Sequence, residues 1–134
     1  MRRGEVWWAR LDERCPVVLL TGEGAPEVRA IRVVAPATAE QTRGFRLLSA
    51  AAAGEPSAAT LSPGVRAVGI EVTVGVEAGL VPDGVVRVAL PRDGQIFCTW
   101  LVSLSPEYLV ERAGELSPAK LDELGQALRL AGIE

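Results

Sequence analysis

The sequence of 134 residues contains no histidine, a single lysine and two cysteines. Without histidine the chain cannot build a Ser-His-Asp triad, a Cys-His pair or the histidine acid–base couple that many ribonucleases use. Two cysteines are too few for a structural zinc site, and no histidine can complete one. We therefore expect no metal ion and no cofactor, so that any chemistry has to come from other side chains.

Long apolar runs are missing as well. No stretch approaches the roughly 18 consecutive apolar residues that a membrane-spanning helix requires. Met1-Arg2-Arg3 is basic, but charged residues follow where the apolar core of a signal peptide would have to lie. The sequence thus predicts a cytoplasmic protein with no membrane contact, in which Cys15 and Cys98 are reduced.

Arginine, by contrast, is frequent: the chain has 13 arginines at a formal net charge of −3. Residues 1–46 hold eight arginines against six acidic residues, whereas residues 47–134 are net acidic. Guanidinium groups bind phosphate through paired hydrogen bonds, so a polyanionic partner fits the N-terminal third best. The length and the hydrophobic fraction of 49% indicate one globular domain spanning residues 1–134.

Runs rich in β-branched and aromatic residues predict a chain built mostly of strands. The predicted strands span residues 5–10, 17–21, 29–35, 67–76, 85–90 and 96–104. Asp93-Gly94, between the last two, is typical of a hairpin turn. Residues 44–68 are interpreted as a loop or an insertion, and within them residues 45–53 have the alternative of a short helix.

Two helix-start signals occur near the C-terminus. Ser105-Pro106-Glu107 supplies an N-cap residue, a proline at the first helical position and an acidic first turn, which predicts a helix to about residue 113. Ser117-Pro118 repeats the signal, and leucines at helical spacing extend this second helix until Gly132. The expected fold class is therefore mainly β (α+β), with two C-terminal helices that cover an open barrel.

Several segments, in this order along the chain, resemble the MazF/PemK toxin family. They are Arg3-Gly4-Glu5-Val6-Trp7-Trp8, then Pro16-Val17-Val18-Leu19-Leu20, then Pro36-Ala37-Thr38, and finally residues 109–128. The short connection at residues 11–15 and the stretch Cys98-Thr99-Trp100-Leu101 are similar to a short-loop, actinobacterial-like subgroup. The resemblance covers most of the chain outside residues 44–68.

The resemblance implies both a fold and an activity. The fold is a small, SH3-like, half-open β-barrel that forms a homodimer. The activity is ribosome-independent, metal-independent cleavage of single-stranded RNA, which leaves a cyclic phosphate and a 5′-hydroxyl. The implied partners are single-stranded RNA and an antitoxin protein that neutralises the enzyme.

The resemblance also implies a catalytic couple of one arginine and one threonine. Thr38 matches the family's threonine. The family's arginine directly precedes the proline of the second strand, whereas here Cys15 stands before Pro16 and Arg14 lies one residue earlier. Thr38 and Arg14 are therefore the catalytic candidates. Arg14 has the alternative of a solvated charge paired with Asp12 or Glu13, and Thr38 that of a turn residue.

Further residues are candidates for RNA binding: Arg10, Gln41, Arg43 and Trp8. Because side chains alternate along a strand, one of Trp7 and Trp8 is expected to point into the core and the other outward. An alternative function remains open at this point. The same barrel with weakened catalysis could act as a binding module for a protein partner, since no arginine stands directly before Pro16.

Overall fold

The computed structural model describes residues 2–21, 26–36, 45–48, 67–81, 83–89 and 101–132, with the backbone alone for residues 45–48, 67–68 and 89. These residues form eight strands and one α-helix: β1 (Glu5–Arg10), β2 (Arg14–Leu19), β3 (Val28–Arg32), β4 (Phe45–Leu48), β5 (Ala67–Val74), β6 (Gly84–Ala89), β7 (Leu101–Leu104), β8 (Leu109–Glu115) and α1 (Pro118–Leu130). Two 3₁₀ turns lie at Val76–Ala78 and Pro106–Tyr108.

The strands form two sheets. Five of them make an antiparallel sheet in the order β7-β3-β2-β1-β8, and the other three make a smaller sheet in the order β4-β5-β6. In the smaller sheet β4 runs parallel to β5, and β6 runs antiparallel to it. Val34, just beyond β3, connects the two sheets, because it exchanges a pair of backbone hydrogen bonds of 2.8 and 2.7 Å with Val85 of β6.

The five-stranded sheet curls around a hydrophobic interior. Its edge strands β7 and β8 are joined by only four residues, 105–108, and Leu104 and Leu109 at the two ends of this link are both buried. They belong to one cluster with Val17, Leu19 and Ala30 of the central strands. No ladder joins β7 to β8 in the described ranges. The mainly β, half-open barrel predicted from the sequence is therefore confirmed.

The outer face of the curled sheet carries the larger core. Val18 and Ile31 lie there against Ile70 of β5 and against Leu124 and Leu128 of α1, and all five are fully buried. The helix begins as predicted: the Ser117 hydroxyl accepts a hydrogen bond of 3.1 Å from the backbone amide of Lys120. None of the described helices has the length and apolar character needed to cross a bilayer.

The prediction of a helix from Ser105 to about residue 113 is wrong. Ser105-Pro106-Glu107 begins only the 3₁₀ turn Pro106–Tyr108, and the Ser105 side chain makes no capping hydrogen bond. The chain then continues as β8, which pairs with β1. Pairing with a central strand and burial of Leu109 outweigh the local helix signal, since such propensities are weak against tertiary contacts. The fold therefore has one C-terminal helix.

Two further details differ from the sequence-based expectation. Residues 45–48 form a strand, so the short-helix interpretation of this segment is wrong there; hydrogen bonding to β5 supplies a partner that local propensity does not reveal. β2 begins at Arg14 instead of residue 17, and the Pro16 carbonyl accepts a hydrogen bond of 2.9 Å from the amide of Val33. The Asp93-Gly94 turn lies outside the described residues.

One close approach depends on glycine. Gly79 follows the 3₁₀ turn with φ of 85°, a conformation that side chains disfavour, and a β-carbon there would overlap with the carbonyl oxygen of Ala113 in β8. Gly114 approaches the same turn from the other side, since a β-carbon on it would overlap with the carbonyl oxygen of Ala78. These two glycines let β8 lie directly against the turn.

Replacement of Gly79 by alanine is therefore expected to destabilise the protein by at least about 2 kcal/mol, through backbone strain and steric overlap. The measurement is urea unfolding at equilibrium. Gly125→Ala is the matched control, because Gly125 lies in α1 and its nearest obstacle is the flexible end of Arg129, 3.3 Å away. That variant is expected to be neutral or up to about 1 kcal/mol more stable. Equal losses in both variants would contradict the assigned packing.

Candidate functional site

Strands β1 and β2 present a layered outer face. Three successive cross-strand pairs lie on it: Val6–Val18, Trp8–Pro16 and Arg10–Arg14. The first pair is buried in the core, the second is half-buried and the third is exposed. Because side chains of a strand alternate between faces, this one face passes from apolar core through a flat aromatic layer to two cations. Such a gradient suits a ligand that is both aromatic and anionic.

Arg14 is held over the aromatic layer. Its guanidinium carbon lies 4.9 Å from the centroid of the Trp8 ring, and its Nη2 donates a hydrogen bond of 2.7 Å to Glu111 Oε2. Glu111 is the residue of β8 that stands opposite Trp8 in the ladder. The alternative interpretation, in which Arg14 pairs with Asp12 or Glu13, names the wrong partner, since Arg14 pairs with Glu111 and Glu13 pairs with Arg32 at 3.8 Å.

The Arg14–Glu111 pair is exposed to solvent, with 56% and 64% of the two side chains accessible. Exposed ion pairs contribute only about 0–1 kcal/mol, because water screens the charges and holding two long side chains costs entropy. A phosphate group offers the same guanidinium a bidentate partner. The geometry therefore holds the Arg14 side chain in place, while a phosphate can still replace Glu111 as its partner.

Cys15 points the opposite way. Its side chain is a buried thiol within the cluster inside the curled sheet. An arginine at this position would place a charge among Val17, Leu19 and Leu109, which is strongly unfavourable. Within this strand, Arg14 is therefore the residue that can bring a guanidinium to the outer face.

A cavity of about 230 Å³ opens beside the aromatic layer and is called the Trp8 cavity here. It is lined by Trp8 and Pro16 of the layered face, by residues 33–35, and by Leu80 and Asp83. Among the described residues the walls are almost entirely apolar, and Asp83 is the one that carries a charge. The cavity thus joins an aromatic ring, small apolar side chains and one exposed carboxylate.

Arg87 anchors the chain segment that follows β3. Its Nη2 donates a hydrogen bond of 3.3 Å to the Ala35 carbonyl, and its Nε donates one of 3.3 Å to Glu71 Oε1. Glu71 stands directly opposite Arg87 in the β5–β6 ladder, so the pair is fixed by strand register. Neither Arg87 nor Asp83 emerged from the sequence, because their partners are distant along the chain and no local motif marks them.

Glu5 is a buried carboxylate that secures the start of β1. It accepts hydrogen bonds of 3.1 Å from Trp7 Nε1 and 3.1 Å from the Arg2 amide, and it pairs with Arg112 Nε at 3.3 Å. Burial by itself raises the pKa of Glu5. The hydrogen bonds and the nearby positive charge outweigh that effect, so the pKa lies below its ordinary value near 4.5.

The two tryptophans lie on opposite faces, as the alternation predicted. Trp7 packs against the inner cluster, and Trp8 packs against the outer core. Arg10 is exposed and also borders a second cavity, of about 350 Å³, together with Leu11 and Tyr108. The structure thus brings Trp8, Arg10 and Arg14 together on one face, while Arg112 and Glu5 lie elsewhere.

The remaining predicted site residues, Thr38, Gln41 and Arg43, lie outside the described residues. The described chain stops at Pro36, two residues before Thr38, and resumes at residue 45. Over the described ranges, no three Cys, Asp or Glu side chains are grouped closely enough to hold a metal ion.

Comparison with solved structures identifies the architecture. The Mycobacterium tuberculosis toxin MazF-mt6 matches with a TM-score of 0.58 at 16% identity, over 96% of this chain and 95% of that one. The chain has the MazF fold. An endoribonuclease in complex with its cognate antitoxin from Mycobacterial species matches with a TM-score of 0.55 at 16% identity, over 100% of this chain and 95% of that one. No family model matches the sequence, and no curated protein matches it significantly.

The lowered pKa of Glu5 predicts how the free energy of unfolding of this MazF-fold protein depends on pH. A carboxylate whose folded pKa is depressed stabilises the protein above its unfolded pKa, and that contribution is lost as the pH falls through the folded value. Glu5→Gln is therefore expected to destabilise the protein by about 1–3 kcal/mol at pH 7. The difference is expected to shrink below pH 4.5, because the Glu5 carboxylate of the wild type becomes protonated there.

Urea unfolding measured between pH 7 and pH 3 tests this prediction. Glu115→Gln is the matched control, since Glu115 pairs with the same Arg112 at 3.6 Å but is 57% exposed, and its removal is expected to cost less than about 1 kcal/mol. A difference between wild type and Glu5→Gln that stays constant over the whole pH range would refute the assignment.

Proposed function

We propose that this protein is a metal-independent endoribonuclease toxin that cleaves single-stranded RNA and is neutralised by a cognate antitoxin. The observation that carries the proposal is the layered face of β1 and β2, on which Arg14 lies over Trp8 beside the segment leading to Thr38. The MazF fold supports it, since one structure with this fold is a toxin and another is an endoribonuclease bound to its antitoxin.

Arg14 is assigned to the scissile phosphate. RNA cleavage by the neighbouring 2′-oxygen passes through a pentavalent phosphorane with additional negative charge on its oxygens, and a guanidinium stabilises that charge by paired hydrogen bonds. Arg14 cannot serve as the base, because a guanidinium in a protein keeps its proton and has no acceptor atom. On RNA binding, a phosphate replaces Glu111 as the partner of Arg14.

Thr38 is assigned to the same phosphate. It follows Pro36 by two residues, so covalent geometry keeps its Cα within about 7 Å of the Pro36 Cα. Val34 and Ala35, just before it, are fixed to β6 through Val85 and Arg87. From there its hydroxyl donates a hydrogen bond to a phosphate oxygen or orients the attacking group.

The reaction balances without a metal or a cofactor. The 2′-hydroxyl gives its proton to water and attacks phosphorus, the bond from phosphorus to the 5′-oxygen breaks, and that oxygen takes up a proton from water. The products are a 2′,3′-cyclic phosphate and a 5′-hydroxyl. Arg10, Gln41 and Arg43 are assigned to neighbouring phosphates, and Trp8 is assigned to base stacking.

The partners follow from the same proposal. The RNA and the acidic segment of an antitoxin would compete for the exposed arginines Arg10 and Arg14, which would make inhibition electrostatic as well as steric. A homodimer in the cytoplasm is part of this proposal.

The second candidate function is a binding module, in which the same barrel binds a protein partner. Two observations favour it: the net charge of −3, and the ion pair in which Glu111 already binds Arg14.

Cleavage of a mixed-sequence single-stranded RNA in the presence of EDTA tests the proposal. Wild type is expected to cleave it, and Thr38→Ala is expected to be about 10²–10³-fold slower, which is the usual cost of removing one donor to a charged transition state. Thr73→Ala is the matched control, because Thr73 is an exposed residue of β5 away from the layered face.

The outcomes separate the two candidates. Equal cleavage by wild type and Thr38→Ala would overturn the assignment of Thr38. Absence of cleavage by wild type, with EDTA or without it, would overturn the endoribonuclease and favour the binding module. Loss of cleavage in Thr73→Ala as well would point to general destabilisation as the cause.

A further inference from the structure

We infer that the Trp8 cavity is a specificity subsite that receives one unstacked nucleobase of the RNA and selects a base carrying an amino group. The inference rests on the proposed function, because it supposes that the ligand is a nucleic acid. It goes further in naming a pocket, a carboxylate that reads the base and a preference between bases.

The size of the cavity fits one planar ring system. Its volume of about 230 Å³ lies below the range of about 300–1,000 Å³ that is usual for sites binding whole drug-sized ligands. Trp8 supplies an aromatic wall, and Val34, Ala35 and Leu80 supply apolar ones. Aromatic and apolar walls are the surroundings in which proteins hold bases taken out of a stack.

The charges around the cavity fit a nucleotide in one orientation. Arg14 lies over the same Trp8 ring that lines the cavity, so a cation stands beside the aromatic wall of the site. Asp83 is the charged residue among the described residues that line the cavity, and its carboxylate would repel a phosphate there. A phosphate bound by Arg14 therefore directs its attached base into the cavity and towards Asp83, whereas the reverse orientation places phosphate against carboxylate.

Asp83 is the group that can read the base. An ionised carboxylate only accepts hydrogen bonds, so it pairs with the amino group of cytosine, adenine or guanine and repels the carbonyl oxygen that uracil carries in the place of cytosine's amino group. Its position is constrained by Gly75, since a β-carbon on that residue would overlap with the Asp83 carboxylate. The cavity is thereby predicted to favour cytosine over uracil.

Binding of 2′-O-methyl hexanucleotides of cytidine and of uridine tests the inference by fluorescence anisotropy. The blocked 2′-oxygen prevents cleavage, so the readout is independent of catalysis. Wild type is expected to bind the cytidine hexamer about tenfold more tightly than the uridine hexamer, and Asp83→Asn is expected to bring the two within about twofold. Asp122→Asn, which removes the same charge from an exposed position of α1, is expected to keep the preference.

A second variant tests the cavity itself. Ala35 is exposed at its edge, and Ala35→Leu is expected to fill the space, weakening the binding of the cytidine hexamer at least tenfold while leaving the salt dependence of binding, which reports phosphate contacts, unchanged. Unaltered preference in Asp83→Asn together with unaltered affinity in Ala35→Leu would overturn the inference.

The same measurements distinguish this inference from the proposed function. Cleavage of mixed RNA by wild type, combined with equal affinity for both hexamers, would leave the endoribonuclease standing and refute the subsite. A preference for cytidine that depends on Asp83, in a protein that cleaves no RNA, would support the subsite and refute the nuclease. Failure of wild type to bind either hexamer would refute the subsite.

Discussion

The pairing of β8 with β1 is the constraint on which the described site depends. Its register sets Glu111 opposite Trp8, Arg112 opposite Trp7 and Gly114 opposite Val6. Each of these three residues makes a different contact. Glu111 reaches Arg14, Arg112 reaches the buried Glu5, and Gly114 allows β8 to pack against the 3₁₀ turn. A shift of one residue in this ladder would turn the side chains of Glu111 and Arg112 to the other face of the sheet.

The alternation of side chains along β1 and β2 divides the chemistry between two faces. Trp7 and Cys15 belong to the interior of the curled sheet, whereas Trp8 and Arg14 belong to the outer face beside the Trp8 cavity. The sequence places a cysteine directly before Pro16, where the resembling family has an arginine. The structure gives this departure a physical meaning, because that position is buried and Arg14 brings a guanidinium to the outer face instead.

The sequence was sufficient for features fixed by local signals. β1, β5 and β6 follow from runs of β-branched and aromatic residues, and α1 follows from the Ser117 cap and from leucines at helical spacing. The sequence also indicates Arg14 and Trp8 as candidates. The sequence does not predict elements in which pairing with a distant strand overrides the local preference. β8 is the example, because it follows a helix-start signal and yet pairs with β1. Glu111, Asp83 and Arg87 were missed for the same reason: Glu111 is 97 residues from Arg14 and Arg87 is 52 residues from Ala35, so no local pattern could connect them. Thr38, Gln41 and Arg43 remain predictions.

The central claim is that RNA phosphate replaces Glu111 as the partner of Arg14. A double-mutant cycle on the affinity for a 2′-O-methyl single-stranded RNA tests it most directly. Glu111→Gln is predicted to tighten binding, Arg14→Gln to weaken it, and Glu111→Gln to have a much smaller effect once Arg14 is gone. If Glu111→Gln weakened binding, or changed it equally with and without Arg14, the exchange of carboxylate for phosphate at Arg14 would be contradicted.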